Sequence, residues 1–483
     1  LGGAEDRLIL VTPPARLSAA IEILDEIARV RGPADGVIKA WGRNHRFAGS
    51  KDRKVIAGHV YMALRARARS AWRMGSDDGR ALLLCVLAEA PLDDVEALFS
   101  GEAHAPPPLT ELERRLLGAV LDDAPEWATA GVPEWIAPLF KAQFGDDWIA
   151  EGQAAILDRA PLDLRVNALR GPVDKALNLM KHEGVEPERT PFSAWGLRLP
   201  PGFATDVQTL KAFTTGWIEV QDEASQIAAW LAGAKAGDVV IDYCAGGGGK
   251  TLALAASMRV SPPPVEGGGG PGGGGAPLAD FTPRAPNPEP VSPPSPALPP
   301  SKGEGSLIAS DIDQKRLDAM QERLSRAGAS VDVRRLGPNG EGMTDLEGRA
   351  DVVFVDAPCS GSGTWRRHPE AAWRLTPETV ERLSKLQQTI LARAAKLVRP
   401  GGRLVYATCS MLDQENGAVA AAFVEGHLGF HPLPITEAAN TINLTSAGRE
   451  RLAVLAGGRH TLQLTPRRTG TDGFFAALFE RTV

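Results

Sequence analysis

Cysteine is scarce in this chain. Four occur among 483 residues, at positions 85, 244, 359 and 409, and no two form a C-x-x-C pair. That spacing argues against a zinc site, or any metal, and against a disulfide framework. A reducing, cytoplasmic setting is the natural expectation. An excess of positive charge is also lacking: 53 Lys and Arg face 59 Asp and Glu, for a net charge of −6. Binding to nucleic acid would then need local basic patches rather than a whole-molecule field. No apolar run approaches bilayer length, so no membrane span is expected, and no signal peptide is visible at the start. With 43% hydrophobic and 23% charged residues, the chain reads as a soluble globular protein, long enough for two to four domains with real cores.

Three regions follow along the chain. Residues 1–125 read as helical, with Leu17, Ile21, Leu24 and Ala28 at helical spacing after the caps Thr12 and Ser18. A second helix is expected over Asp52 to Trp72. Its basic end, Arg65 to Arg69 with Arg73 beyond, is either a solvated face or a phosphate-contacting patch. Residues 126–216 read as a small α+β module: helices over Pro133 to Asp158, a strand in Pro161 to Asn167, a helix over Val173 to Glu183 and a short strand at Gly196 to Leu199. Residues 217–483 read as an open parallel α/β sheet. It is interrupted at 259–305 by a Gly/Pro-rich segment expected to be disordered. An αβ connection lies at the amino ends of the strands, so such an insert reads as a tolerated surface loop.

Candidate chemistry gathers where strands end. Asp242-Tyr243-Cys244-Ala245-Gly246-Gly247-Gly248-Gly249-Lys250-Thr251 follows the strand Val239 to Ile241 and opens a helix. Glycines there let backbone approach a ligand closely. A P-loop fails, because the glycine required ahead of Gly249-Lys250-Thr251 is replaced by Cys244. Asp311 ends the next strand. Without the insert it stands at about the twenty-residue spacing of a ribose-binding acid. It could equally cap the following helix, with Asp313 a competitor for either role. Cys359, in Asp356-Ala357-Pro358-Cys359-Ser360-Gly361, and Cys409, in Thr408-Cys409-Ser410, each follow an apolar run that reads as a buried strand. Each signal is weak alone. Two thiols and one carboxylate on one rim suit chemistry at an electron-poor ring carbon. Methylation of C5 of cytosine has those needs: a thiolate adds at C6 and makes C5 nucleophilic, a carboxyl group stabilises the adduct, and a base removes the C5 proton. The thiol needs nearby positive charge, for which Lys250, Arg366 and Arg367 are candidates.

These motifs together resemble the RsmB/Nop/Sun family of S-adenosylmethionine-dependent RNA 5-methylcytosine methyltransferases, and its small-subunit rRNA members most. The resemblance spans nearly the whole chain outside the insert. Gln414-Glu415-Asn416 and Gly470-Thr471-Asp472-Gly473-Phe474-Phe475 are similar to later signatures of the family. It implies a Rossmann-like methyltransferase domain at 217–483, preceded by an all-α NusB-like domain at 1–125 and an α+β RNA-recognition module at 126–216. It implies Cys409 as the nucleophile, Cys359 as the group that assists proton removal and release, and Asp356 as the holder of the cytosine edge. The family's DNA-methylating cousins use the Pro-Cys thiol instead, so the order of the two cysteines rests on family logic. Cys244, Ala245, Gly246, Gly247, Gly248, Gly249 and Lys250 would wrap the methionine end of S-adenosylmethionine, Asp311 its ribose, and Asp356 would border both ligands. Arg366, Arg367 and His368 would approach the RNA strand. The implied protein is a monomer acting on rRNA, with tRNA, or a non-catalytic assembly role, as alternatives. Two departures stand out: glycine at 247, where the family has proline, and no acid after the third strand, where Asn339 or a backbone group would have to meet the adenine. Cys85 reads as core.

Overall fold

The computed structural model describes residues 11–119, 123–203, 205–259 and 305–483. Its first part is helical. Thr12 caps the helix Pro13–Val30, with its hydroxyl accepting from the Ala15 amide and Pro13 in the first turn, where a missing N–H costs nothing. Leu17, Ala20, Ile23, Leu24 and Ile27 form the buried stripe of that helix and pack with Ile56, Val60 and Leu64. Cys85 is buried, as expected. The expected Asp52 to Trp72 helix is in fact two, Ser50–Arg65 and Arg67–Arg73, broken at Ala66. Its arginines are not a free phosphate patch. Arg65 donates to the Tyr61 and Arg366 carbonyls, Arg67 pairs with Asp77 at 2.6 Å, and buried Arg73 donates to the Leu117 carbonyl. The stretch is a seam between this region and the loop after Cys359, because guanidinium groups leaving water need acceptors and the nearby carbonyls supply them.

The second part carries a four-stranded antiparallel sheet. Its strands are β1 (Asp163–Val166), β2 (Glu188–Arg189), β3 (Gly196–Arg198) and β4 (Ile218–Val220), in the order β2-β3-β1-β4. β1 is buried along its whole length, Asp163 and Arg165 included. Asp163 is compensated by Arg198 at 2.7 Å.

The third part is one eight-stranded sheet. Its strands are β5 (Val239–Asp242), β6 (Ser306–Asp311), β7 (Asp332–Arg335), β8 (Ala350–Asp356), β9 (Val398–Thr408), β10 (Phe430–Pro432), β11 (Thr461–Leu464) and β12 (Phe474–Arg481). The order is β10-β12-β9-β8-β5-β6-β7, with β11 also on β12. Successive residues alternate between two cores: Val240, Phe354 and Val405 face one, Ile241, Val353, Val355 and Tyr406 the other. The expectation of a parallel sheet holds from β9 to β7 and fails beyond, where β12 runs antiparallel to β9, β10 and β11. β12 is tied to β11 by a link too short for the crossover that parallel neighbours need. The Gly/Pro-rich insert falls almost wholly outside the described residues. Its downstream end re-enters at the amino edge of the sheet, where the Ser306 amide donates to the Asp238 carbonyl.

Candidate active site

β5 lies between β6 and β8, so chain connections leave it in opposite directions. That divergence opens a crevice at the carboxyl ends of the strands. The cleft there has a volume of about 930 Å³. Its lining includes Asp242, the Cys244 to Gly247 turn, Lys250, Asp311, Asp356, Cys359 and Cys409. The fold thus gathers on one rim residues that lie far apart in sequence.

The glycine turn is shaped by close approach. Gly248 has φ of 79°, and a Cβ there would lie 2.5 Å from Met320. The turn is moored to β6: the Ala245 amide donates to the Ser310 carbonyl and the Gly246 amide to Asp311 Oδ2, both at 2.9 Å. Asp311 Oδ1 accepts from the Asp313 amide. The cap of helix Gln314–Ala327 is Asp313, which accepts from the Lys315 and Arg316 amides. Asp311 is thereby left to organise the turn at the cleft wall. Asp242 Oδ2 accepts from the Thr251 hydroxyl at 2.6 Å, while Oδ1 is buried without a partner among the described residues. Burial pushes Asp242 up to about 7, against the Thr251 hydrogen bond. Burial, then the charges of Asp311, Asp242 and Asp356, push the Cys244 thiol well above its ordinary value. Cys244 is therefore a neutral wall group. Leu336, Gly337, Pro338 and Gly340 line the cleft. Asn339 does not: its side chain donates to Glu341 at 3.0 Å. Of the two expected substitutes for the missing acid, Asn339 is turned to Glu341, and the backbone at Gly337 and Gly340 is what lines the cleft.

The two thiols meet, with Cys359 Sγ 3.4 Å from Cys409 Sγ. The bond to Cys409, then burial, then the charges of Cys409 and Glu415, push the Cys359 thiol well above its ordinary value. Lys250 Nζ donates to Asp356 Oδ2 at 2.8 Å and lies over the Phe474 ring at 4.9 Å. Burial works against its charge, but Asp356, Cys409 and Asp242 outweigh it and raise its pKa. The rim therefore holds one thiol kept protonated, a second thiol beside it, and a permanent cation near that second thiol.

A buried carboxylate fixes this pair. Glu415 accepts from the Ser360 amide at 2.8 Å, the Ser360 hydroxyl at 2.5 Å, the Ser410 hydroxyl at 2.7 Å and Gln387 Nε2 at 3.0 Å. Ser360 and Ser410 each follow one of the cysteines, so one side chain locks both loops. Asn416 Nδ2 adds a bond to the Ser410 carbonyl, and its Oδ1 accepts from Thr408. The Gln-Glu-Asn cluster flagged these positions without showing what they do. Gly363 and Gly473 touch, and a Cβ on Gly363 would lie 1.9 Å from the Gly473 carbonyl oxygen.

Arg366 and Arg367 do not reach outward. Arg366 is buried and donates to Asp472 at 3.2 Å; Arg367 donates to Asp472 at 2.5 Å and to Asp222 at 2.9 Å. The reading of Arg366 as RNA-facing is corrected, because it is buried against Asp472; Arg367 lines the cleft while paired to Asp472 and Asp222. Of the three named cations, Lys250 is the one paired with a residue of the thiol rim, Asp356. His368 remains half exposed, 4.0 Å from Glu370. Burial, then the Asp472 charge, push Asp222 up to about 7. Asp222, Asp472 and Phe474 all line the cleft and went unassigned in the sequence, because only the tertiary structure brings them there. Among the described residues, no group of three or more His, Cys, Asp or Glu is placed to hold a metal ion, and no helix is long and apolar enough to cross a membrane.

A family model described as 16S rRNA methyltransferase RsmB/F matches residues 299–480, and a second, for the RsmF/B-like ferredoxin-like domain, matches residues 132–206. Those two stretches of the chain are thus similar to the RsmB/F family. Ribosomal RNA small subunit methyltransferase B of Pseudomonas syringae pv. tomato is 30% identical over 350 residues, covering 71% of this chain and 64% of the relative. The probable ribosomal RNA small subunit methyltransferase B of Bacillus subtilis is 27% identical over 350 residues, covering 71% and 65%. The chain thus spans less than two thirds of the length of these RsmB/F relatives. The solved structure of PH0851 superposes with a TM-score of 0.69 at 23% identity, covering 98% of this chain and all of that one. That of NSun6 from Pyrococcus horikoshii with SFG gives 0.54 at 19% identity, over 73% and 98%. Both share the fold of this chain.

Proposed function

We propose that this chain methylates C5 of a cytosine in small-subunit rRNA, using S-adenosylmethionine and a transient covalent bond from Cys409. The observation that carries the proposal is the thiol pair, 3.4 Å apart, on a cleft rim shared with Lys250 and Asp356. Cys409 lines the cleft together with Lys250 and Asp356, where its sulfur would add to C6 of the base. Cys359 is held protonated 3.4 Å away, placed to exchange a proton as the adduct forms and breaks. Asp356, held by Lys250, faces the same cleft and would hydrogen-bond the cytosine edge. S-Adenosylmethionine supplies a methyl group on a positively charged sulfur.

The residues present fit that cofactor. The cleft volume falls in the range of ligand sites. The unpartnered Asp242 Oδ1 and the open side of Gly246 offer a polar, close-approach wall. Cys244 to Lys250 would hold the methionine end and Asp311 the ribose edge, with Leu336 and Pro338 as an apolar slot for the base. The family and the names of the relatives support rRNA over tRNA. The amino-terminal helices and the 126–216 module are proposed as the NusB-like and RNA-recognition parts, and the enzyme as a cytoplasmic monomer.

The test is transfer of labelled methyl groups to unmodified small-subunit rRNA, tRNA and DNA side by side, with Cys409→Ala as control. Label at rRNA cytosine C5, lost in the control, is the expected result. Label on tRNA would move the substrate; label on none would leave an assembly role as the better reading.

A further inference from the structure

Four consecutive glycines make the cofactor turn costly to order, because glycine loses more backbone freedom than any other residue. Three of its neighbouring links are internal to the Rossmann-like sheet: Ala245 to Ser310, Gly246 to Asp311, and the Gly248 amide to the Ala245 carbonyl. The fourth comes from elsewhere. Arg323, on the helix Gln314–Ala327, donates Nη1 to the Gly247 carbonyl at 2.6 Å and lines the cleft. Its Nε and Nη2 are held by Glu219 Oε2 at 3.3 and 3.0 Å. Glu219 belongs to β4 of the four-stranded sheet, and its side chain is 3% exposed. Its other oxygen takes Arg326, whose guanidinium stacks over Phe213.

We infer that Arg323 is a positioning residue for the cofactor turn, and that Glu219 transmits the placement of the four-stranded module to that turn. The inference rests on the proposed cofactor. The chemistry follows from the bond set. A guanidinium spends two N–H groups on a buried carboxylate, which fixes its plane, and aims a third at one carbonyl. Position 247 is where the turn lacks proline's stiffness, so an external charged donor there restores what glycine gives up. The same helix end is gripped twice more by that module: Asn167 Nδ2 donates to the Ala327 carbonyl at 2.9 Å and Arg170 to the Arg326 carbonyl at 2.6 Å. Whatever shifts the module against this helix shifts the donor on Gly247. Engagement of RNA by the module and occupancy of the turn are thereby linked, and by reciprocity each favours the other.

The test compares the full-length wild type, Arg323→Ala and Arg326→Ala. Arg326 shares Glu219 but touches neither the turn nor the cleft, so it reports loss of the ion pair alone. Two quantities are read: amide hydrogen exchange of residues 245–250 without cofactor, and the Kd for S-adenosylmethionine by calorimetry. Arg323→Ala is expected to speed exchange in the turn and to raise Kd roughly tenfold, the size of one charge-assisted hydrogen bond. Arg326→Ala is expected to stay within about twofold on both. Arg323→Ala indistinguishable from wild type, or Arg326→Ala shifting as far, overturns the inference. A wild type that binds no S-adenosylmethionine would remove the proposed function, while the exchange comparison would still decide whether Arg323 orders the turn.

Discussion

Removing the Glu415 carboxylate should damage the thiol pair before it damages the fold. The structure allows the size of the effect to be worked out. Glu415 accepts four hydrogen bonds in a fully buried setting. In Glu415→Ala the two hydroxyls can turn to each other or to Ser362, since Ser360 Oγ is 3.4 Å and Ser362 Oγ 3.0 Å from Ser410 Oγ. The Ser360 amide and one proton of Gln387 cannot be re-satisfied; the other Gln387 proton keeps the Pro358 carbonyl. Two orphaned buried donors cost about 1–3 kcal/mol each. With about 1 kcal/mol for the vacated volume, the total is about 3–7 kcal/mol. Glu415→Gln can keep its oxygen toward the amide and Gln387 and turn its nitrogen toward hydroxyls able to accept, so about 1 kcal/mol is expected. Urea unfolding measures both costs. Methyl transfer and the rate of thiol alkylation report the loops, and Glu415→Ala should lose nearly all turnover while Glu415→Gln keeps a measurable fraction. An alanine variant within about 1 kcal/mol of wild type and fully active would refute the claim that this carboxylate sets the cysteine geometry.

Further outcomes follow from the same geometry. Cys409→Ala should abolish turnover, whereas Cys359→Ser should accumulate a denaturation-resistant protein–RNA adduct on a gel; an adduct from the Cys409 variant instead would reverse the two roles. Asp242 has a folded-state pKa raised from 3.8 to about 7, so its neutral form favours folding. Its contribution is complete below pH 4 and is lost as pH rises toward 7, by about 4 kcal/mol at most. Asp242→Asn should flatten that part of the stability–pH curve, measured as the difference from wild type; an unchanged slope would show the carboxylate is not strained by burial. Deleting residues 262–301 should leave methyl transfer largely intact, because the chain re-enters at the amino edge of the sheet; a large rise in Kd for the cofactor would contradict this.

Most of the proposed chemistry was legible in the order of residues alone. Strand-ending motifs with Cys359 and Cys409, a glycine turn and Asp311 were legible because catalytic groups of open α/β sheets sit at strand ends, and strand ends can be read from apolar runs. That order also determined most element positions in the sheet, since buried parallel strands announce themselves by continuous hydrophobicity. Which charges pair with one another became visible only once the segments had packed. Arg366 and Arg367 look like free cations in a list of residues, yet Asp222 and Asp472, distant in sequence, absorb them. Arg65 and Arg73 end on backbone carbonyls for the same reason. Glu415 and Arg323 gain their roles only from neighbours on other segments. A charged side chain has no intrinsic direction. Its partner is chosen by desolvation, when burial makes an unpaired charge too costly, and that choice is settled only once the segments have packed.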